Sequence, residues 1–441
     1  MIEIDLQTGV EYALDALTAE RLALLCGAGL SMAPPSSVPS AAWLAEKARL
    51  KYSAIHGNGR PSLPDSIDEQ AEFFFRRGEL GTVYLRTYID HDTFAVEPNS
   101  GHFATADLLL TGAITTAVST NVDTLIETAG NMLFGQIGSG VSRAQVSAFA
   151  PNISPLLKIH GCWSDRSSTV WAAGQVAIDP IRTRIDECGA WLGHRLLNQD
   201  LVIVGYWTDW DYLNQVLEAT LGAVTPSRVV VVDPCETASF AAKASGLFAL
   251  GQRAAPEFYH VRSSGDAFLD RLRVEFSKSY IRCVLHAGAM SYSQFVGVDP
   301  DNAWLEPSLN DAETLWRIRR DLEGRNPNEP ARERLPIEEP LLGMTLLQLQ
   351  ARGAVAAGSY WNLGGRHVRV LRAANRPLHE VEATFARETA PIVAPEIVIA
   401  VGAESLPLPP SIARGSGTGS IARGAAGRWL SRADAVTELG L

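Results

Sequence analysis

A run of five apolar residues followed by glycines constrains this chain more than any other stretch. Leu22–Cys26 is typical of a buried strand, and Gly27-Ala28-Gly29 then turns the chain sharply before Ser31. Small residues after a strand let a phosphate approach the backbone, and outward-facing N–H groups can bind it there. The stretch is not the Rossmann dinucleotide fingerprint, because Met32 follows and no third glycine does. A plain tight turn explains it equally well, so its meaning depends on the rest of the chain.

Further apolar runs, alternating with helix-like stretches, predict a parallel sheet. The runs lie at residues 113–119, 156–160, 201–204, 228–233 and 257–261. Short continuous apolar strands separated by helices are typical of a parallel sheet that is covered on both faces. We therefore expect an α/β, Rossmann-like domain over residues 1–285, with a helical insert at about 40–100 and a closing helix at 265–278. Residues 135–150 are expected to form a loop.

Residues 286–441 show no catalytic pattern. They combine a charged helix at 311–323, β-like runs at 368–371 and 397–401, and a tail that carries Ser-Ile-Ala-Arg-Gly twice. By elimination we expect a smaller C-terminal domain for oligomerisation or partner binding, with a flexible tail at about 406–428.

Composition and charge exclude several function classes. The 441 residues suffice for two or three domains, and 46% hydrophobic with 20% charged residues fits a soluble globular protein. The formal charge of −11 disfavours nucleic-acid binding through a basic surface. No apolar run approaches the roughly 20 residues that span a bilayer, and no signal-peptide pattern is found. The five cysteines are scattered without a C-x-x-C pair, which predicts no zinc site and suits a reducing cytoplasm.

Polar or glycine positions follow the predicted strands, at one edge of the expected sheet. Because ligands bind beyond the carboxyl ends of parallel strands, these positions should converge on one site. Each alone has a simpler explanation: a histidine after a strand is often structural, Asn-x-Asp is often a helix cap, and Asp233 could be a turn former. His102 is expected to be structural and to pack near the site. The converging positions are the turn at 27–29, Asn121, Asp123, His160, Gly205 and Asp233.

In order and spacing these stretches resemble the sirtuin family, and more closely its bacterial NAD-consuming branch than its protein deacylases. The resemblance covers residues from about 20 to about 275 and implies that NAD+ is the substrate. The matching stretches are Gly27-Ala28-Gly29-Leu30-Ser31, Ser119-Thr120-Asn121-Val122-Asp123, Lys158-Ile159-His160-Gly161, Gly205-Tyr206 with Asp209 and Asp211, and Val232-Asp233.

The resemblance implies a role for each matched residue. Asn121 would orient a water or a ribose hydroxyl, and His160 would act as a base near neutral pH. Asp123 would hold the nicotinamide amide or fix the local geometry. Trp207 and Thr208 stand where the family has a serine, which puts the nearby ribose contacts in doubt. The implied NAD+ contacts are Gly27, Ala28, Gly29, Ser31, Thr120, Gly205, Asp209, Asp211 and Asp233.

Two departures from the family count against an acylated protein as the acceptor. The deacylases carry a four-cysteine zinc module that this chain lacks, and Ser40-Ala41-Ala42-Trp43 follows Pro39 where they have Pro-Asp-Phe-Arg. Water is then the simplest nucleophile. The leading hypothesis is therefore a zinc-free NAD+ glycohydrolase that yields ADP-ribose and nicotinamide.

The resemblance also implies a cellular context. Bacterial relatives deplete NAD+ in antiphage defence, so we expect a cytoplasmic homo-oligomer that is restrained at rest, with a HerA-type ATPase as a candidate partner. Two alternatives stay open: a zinc-less sirtuin-type protein deacylase or ADP-ribosyltransferase, and a non-catalytic sensor of NAD+ or ADP-ribose. Nicotinamide release with and without an acylated peptide separates the three.

Overall fold

The computed structural model describes residues 1–57, 62–205, 226–253, 257–389, 395–403 and 427–441. The chain divides into two compact units, unit 1 (Met1–Leu272) and unit 2 (Arg273–Leu441). The observed boundary, between Leu272 and Arg273, lies inside the helix Gly265–Val296. The boundary predicted at residue 285 lies inside the same helix. The predicted NAD+ contacts Asp209 and Asp211, and nearly all of the predicted tail, lie outside the described residues.

Unit 1 is built on an eight-stranded sheet. Its strands are β1 (Ile2–Ile4), β2 (Leu22–Cys26), β3 (Thr116–Ser119), β4 (Gly138–Gly140), β5 (Pro155–Lys158), β6 (Asp200–Val204), β7 (Arg228–Val232) and β8 (Phe258–Val261). The order is β1-β8-β7-β6-β2-β3-β5-β4, and every neighbouring pair is parallel. From β2 the chain builds one side through β3 and β5, and then the other side through β6, β7 and β8. This is the doubly-wound order of a Rossmann fold, with one further strand at each edge.

Helices cover both faces of this sheet because its strands are apolar on both sides. On one face Leu25, Ile203 and Val231 form a buried cluster with Ile185 and Phe240 from two helices. On the opposite face Gly9 of the first helix packs against Val261 and Phe268. The helices are α1 (Leu6–Thr18), α2 (Gly29–Met32), α3 (Ala41–His56), α4 (Ile67–Phe75), α5 (Ser100–Leu110), α6 (Leu125–Met132), α7 (Arg143–Ser147), α8 (Ala173–Val176), α9 (Ile181–Arg195), α10 (Thr237–Lys243), α11 (Ser245–Arg253) and α12 (Gly265–Val296). The predicted fold class is confirmed.

The helical insert comprises α3, α4, the π-helix Leu80–Tyr88 and the 3-10 helix His91–Phe94. Ser40 caps α3 by accepting a hydrogen bond from the backbone N–H of Trp43. The core of the insert is aromatic and also contains Trp163 and Trp171, which follow His160 in the sequence. The insert therefore packs directly on the loop that leaves the candidate site.

Three parts of unit 1 differ from the sequence prediction. The predicted loop at 135–150 contains β4 and α7, which were missed because Gly-Ser-Gly carries no apolar pattern. The closing helix continues to Val296 instead of ending at 278. Strand β1 was not predicted, because three residues are too few for a periodicity.

Unit 2 contains a smaller mixed sheet. Its strands are β9 (Val355–Ala357), β10 (Tyr360–Leu363), β11 (Arg366–Arg372), β12 (Ile397–Val401) and β13 (Arg428–Ser431), in the order β13-β12-β11-β10-β9. β9, β10 and β11 are antiparallel neighbours, and β11, β12 and β13 are parallel. Its helices are α13 (Ala312–Glu323), α14 (Pro340–Ala351), α15 (Leu378–Phe385) and α16 (Arg432–Leu439), with a 3-10 turn at Asn302–Leu305. In the described ranges, every helix of either unit is too short or too polar to cross a membrane.

Candidate active site at the switch point of the sheet

The doubly-wound order creates a crevice beyond the carboxyl ends of β2 and β6, where the chain reverses direction across the sheet. Gly29 and Gly205 meet there, and the Gly29 N–H donates to the Gly205 carbonyl at 2.8 Å. A Cβ on Gly29 would lie 2.7 Å from Gly205 Cα, and a Cβ on Gly205 would lie 2.6 Å from the Leu30 nitrogen. Gly205 also has a φ of +59°, which favours glycine. Both glycines are therefore required for the two loops to approach this closely.

The turn at 27–29 uses most of its own N–H groups. The Gly27 N–H donates to the Val204 carbonyl at 2.9 Å. The Leu30 N–H donates to the Gly27 carbonyl and the Ser31 N–H to the Ala28 carbonyl, at 3.0 Å each. The Ala28 N–H has no acceptor among the described residues, and Ala28 is exposed. In this conformation the predicted phosphate contact therefore rests on one free backbone donor rather than several.

The Ser31 hydroxyl is the centre of a buried hydrogen-bond network. It donates to Asp123 Oδ2 at 2.9 Å. Because a hydroxyl carries one proton and two lone pairs, its two other neighbours must be donors. These are Asn121 Nδ2 at 2.9 Å and His102 Nε2 at 3.1 Å. The network thus assigns the orientation of the Asn121 amide: Nδ2 is bound to Ser31, and Oδ1 is left for another partner.

His102 is structural and packs at the site, and it does more than the sequence indicated. Its Nδ1 accepts from the Asn99 N–H at 3.1 Å, while the Asn99 side chain accepts from the His102 N–H and caps α5. The ring proton is therefore on Nε2, which donates to Ser31. Burial lowers the pKa of His102 to about 4, so the ring is neutral near pH 7. The spacing from Asn99 to His102 is that of a reciprocal helix cap and could have shown this tautomer from the sequence.

His160 is oriented by the backbone of the neighbouring strand end. Its Nδ1 lies 2.9 Å from the Thr120 carbonyl, which can only accept, so Nδ1 carries the proton. Its Nε2 is buried and has no partner among the described residues. Burial, with a smaller contribution from the charge of Arg184, lowers the pKa of His160 to about 4 against the opposing effect of the Thr120 hydrogen bond. His160 is therefore a neutral imidazole with an unused lone pair on Nε2, as a general base requires.

Asn121 Oδ1 is a second buried acceptor that no described residue satisfies. The Thr120 carbonyl that holds His160 belongs to the peptide bond preceding Asn121, so one short stretch positions both side chains. An unmet buried acceptor costs about 1–3 kcal/mol, and most such groups in folded proteins are satisfied. Two of them at one sheet edge fit a ligand that supplies two donors, such as a pair of sugar hydroxyls.

Thr120 and Asp123 have structural contacts as well. The Thr120 hydroxyl is used in the fold, because it donates to the Cys26 carbonyl at 3.3 Å. The group that Thr120 contributes to the site is its backbone carbonyl, which accepts from His160. Asp123 Oδ1 accepts from the Leu125 N–H at 3.2 Å, as a residue before a helix does. The implied NAD+ contact through Thr120 and the direct ligand contact through Asp123 stay predictions.

Lys158 is a buried neighbour whose role the sequence did not show. Its Nζ donates to the Asp123 carbonyl, to Glu127 Oε1 at 3.1 Å and to Cys162 Sγ at 3.3 Å. It therefore ties the end of β5 to the segment that carries Asn121 and Asp123. A lysine at the end of an apolar strand gave no signal of this, because its partners come from other parts of the chain.

The structure joins the predicted residues to different extents. Ser31, Asn121 and Asp123 share one network, and Gly205 packs on the turn at 27–29. Asp233 follows β7 and accepts from the Cys235 N–H at 2.8 Å, which is the turn-forming role. It makes no hydrogen bond to those of the other predicted site residues that the structure describes, so its contact with adenosine ribose stays a prediction.

The part of the chain that the structure describes contains no group of three or more His, Cys, Asp or Glu side chains placed to hold a metal. All five cysteines lie within it and are free. The absence of zinc from the purified protein stays a prediction.

Comparisons with known proteins place Sir2 enzymes among the similar structures. No protein-family model matches the sequence, and the curated proteins include no match. A Sir2 structure solved for the mechanism and regulation of these enzymes is 14% identical, with 60% of this chain and 95% of that chain covered and a TM-score of 0.31. A mutant Sir2 homologue in complex with ADP ribose is also 14% identical, over 59% of this chain and 94% of that one, with a TM-score of 0.32. At such identities and TM-scores the likeness does not bear on what this chain binds or cleaves.

Proposed function

We propose that the chain is an NAD+ glycohydrolase whose site lies at the switch point of the unit 1 sheet. The observation that carries this proposal is the pair of buried, unmet acceptors, Asn121 Oδ1 and His160 Nε2. The motifs around them are those through which residues 27–31, 119–123 and 158–161 resemble sirtuins. A nucleotide with a ribose diol supplies two hydrogen-bond donors.

The chemistry follows from these groups. Breaking the nicotinamide–ribose bond builds positive charge on the sugar, and water then adds to give ADP-ribose, nicotinamide and one proton. His160 Nε2 accepts a proton from a ribose hydroxyl or from the water, because its own proton is held on Nδ1 by Thr120. Asn121 Oδ1 accepts from the second hydroxyl or orients the water. Ser31 keeps the Asn121 amide in the required direction.

The wider role follows from the same resemblance. We propose that the enzyme depletes NAD+ in bacterial antiphage defence as a cytoplasmic, zinc-free homo-oligomer. Residues 286–441 would provide contacts to further copies or to a partner such as a HerA-type ATPase. A protein deacylase or ADP-ribosyltransferase, and a non-catalytic sensor, are the competing functions that the following experiment separates.

The full-length protein is incubated with NAD+, and nicotinamide release is followed by chromatography. Asn121→Ala and His160→Ala should each lower turnover by about a hundredfold or more, because each removes a positioned acid–base or orienting group. His194→Ala is the matched control, since His194 is exposed on α9. A deacylase would release nicotinamide only with an acylated peptide, and a sensor would bind NAD+ or ADP-ribose and release nothing.

A defence enzyme is restrained at rest, so the decisive measurement is NAD+ content in cells that express the intact system during phage infection. The glycohydrolase proposal expects NAD+ to fall with the wild type and to hold with His160→Ala. Protection at constant NAD+, or equal protection by the His160→Ala variant, would show that the proposal is wrong.

A further inference from the structure

We propose that Arg184 is a positioning residue for His160: its guanidinium bridges the two ends of the loop that presents the imidazole and thereby aims Nε2 at the substrate. The catalytic consequence rests on the proposed function, whereas the geometric one can be measured without substrate.

The bridge consists of two hydrogen bonds from α9 to backbone carbonyls. Arg184 Nη1 donates to the Ser168 carbonyl at 2.6 Å, and Nη2 donates to the Ile159 carbonyl at 3.3 Å. Ile159 immediately precedes His160, and Ser168 lies at the far end of the loop that returns to it. One rigid, planar group therefore sets the separation between the start and the end of this loop.

The loop is closed tightly around this bridge. The Val170 N–H donates to the His160 carbonyl at 2.9 Å. Gly161 has a φ of +87°, and a Cβ there would overlap the Ser168 carbonyl. A shift of that carbonyl would therefore press on Gly161, which is bonded directly to His160. Displacing the guanidinium should change the direction of the imidazole, and not merely loosen a distant surface.

In the described part of the chain, no ion pair neutralises the charge of Arg184. Both of its hydrogen bonds go to neutral carbonyls, and its Nε is buried without a partner among the described residues. Arg184 is half-buried, and these two carbonyls are its hydrogen-bond acceptors among the described residues. Burial lowers the pKa of Arg184, while Cys188 on α9 and Asp165 on the loop raise it. Among the described residues, Cys188, Asp165 and His160 are the titratable groups whose charges are coupled to the guanidinium.

The same charge acts on His160. Burial is the main cause that lowers the pKa of His160, the hydrogen bond to the Thr120 carbonyl raises it, and the Arg184 charge lowers it. Arg184 therefore fixes the direction of the ring and also favours its neutral form. Two variants separate these effects: Arg184→Gln removes the charge, and Arg184→Lys keeps the charge but cannot bridge two carbonyls with one planar group.

The test is histidine NMR on the full-length protein, with the His160 signal identified by its loss in His160→Gln. In Arg184→Gln the titration midpoint of His160 should rise by about one pH unit. In Arg184→Lys the midpoint should hold, while the Nδ1 proton exchanges with water roughly tenfold faster as the ring loses its alignment on Thr120. Arg182→Gln is the control, because Arg182 is exposed on the same helix.

Kinetics provide the second readout. With NAD+ as substrate, Arg184→Lys should lower kcat by roughly tenfold and leave KM unchanged. An unchanged His160 midpoint in Arg184→Gln, together with unchanged proton exchange in Arg184→Lys, would overturn the inference even if nicotinamide is released. If the NMR changes appear but the wild type releases no nicotinamide with its defence system intact, the positioning role stands and the proposed function fails. If Arg184→Gln does not fold, the exchange rate of the His160 Nδ1 proton in Arg184→Lys decides whether Arg184 positions the ring.

Discussion

One buried polar cluster of unit 2, around Arg369, and one of unit 1, around Ser31, differ in whether their acceptor atoms are used. In unit 2, Arg369 donates to both oxygens of Asp321, at 2.7 and 2.8 Å, and to Glu388 Oε2 at 3.1 Å. Arg320 donates to Glu388 Oε1 at 3.1 Å. Every oxygen of these two carboxylates thus has a donor. Burial acts to lower the pKa of Arg369, but the negative charge of Asp321 and its hydrogen bonds raise that pKa above its usual value.

In unit 1 the network around Ser31 ends differently. The hydroxyl itself is saturated, yet Asn121 Oδ1 and His160 Nε2 have no donor in the described part of the chain. The comparison teaches that burial of polar groups does not by itself mark a site. What marks one here is a network that is complete on its supporting side and leaves two buried acceptors beyond the strand ends without a donor.

The largest expected effect comes from opening the closed network of unit 2. Arg369→Met leaves Asp321 and Glu388 buried without their main donor, which should cost about 3–5 kcal/mol of unfolding free energy in urea. The control is Arg428→Met, because the Arg428 side chain is 67% exposed and its pair with Glu438 should contribute about 0–1 kcal/mol. Equal losses in the two variants would contradict the view that unit 2 uses its buried charges for stability.

Acid should weaken unit 1 through its two neutral histidines. The pKa of His102 and that of His160 are each about 4 in the folded chain, against about 6.5 unfolded. The unfolded chain therefore binds more protons between these values, so stability is complete above pH 6.5 and is lost as the pH falls to 4. Each histidine should account for about 3 kcal/mol of this loss.

The measurement is the unfolding free energy of the wild type and His160→Gln at pH 7 and pH 4. The variant should lose about 3 kcal/mol less than the wild type over this interval. His379→Gln, at an exposed position on α15, is the control and should follow the wild type. The same loss in all three proteins would mean that His160 is not held neutral by burial.

A glycine pair gives the smallest and most local test. Gly205 and Gly358 both have a φ of +59°, but a Cβ on Gly205 would lie 2.6 Å from the Leu30 nitrogen, whereas nothing lies within 4 Å of one on Gly358. Gly358→Ala should lower the unfolding free energy by about 1 kcal/mol, because alanine is strained in the left-handed backbone conformation. Gly205→Ala should cost roughly 1–3 kcal/mol more, and it should weaken NAD+ binding in calorimetry. Equal costs would show that the crevice tolerates a wider turn.

The sheet and the edge that carries the site could be predicted because each is a property of neighbouring residues. Apolar runs such as Leu22–Cys26 define strands locally, and parallel strands bring their carboxyl ends together by topology. The same reasoning failed at residues 135–150, where a Gly-Ser-Gly strand has no apolar side chain to reveal it.

The network around Ser31 could not be predicted, because its hydrogen bonds join residues 71 to 92 positions apart in the sequence. Nor could the partners of His160 be foreseen. One is the carbonyl of Thr120, a group that every residue has, and the other is Arg184, which looks like any charge on an amphipathic helix. Side-chain identity narrows the chemistry of a site, whereas orientation is set by backbone groups that carry no sequence signal.

Strand β1 has a consequence for how unit 1 is made. Its residues pair in parallel with β8, so that Ile2 lies opposite Tyr259, and no other strand of the described ranges pairs with it. During translation at about 5–20 residues per second, these first residues wait on the order of ten to fifty seconds for their partner to leave the ribosome. Until then the growing sheet lacks a covered edge on the β8 side. The sheet of unit 1 is therefore complete only when the strand that is synthesised first has paired with the strand that is synthesised last.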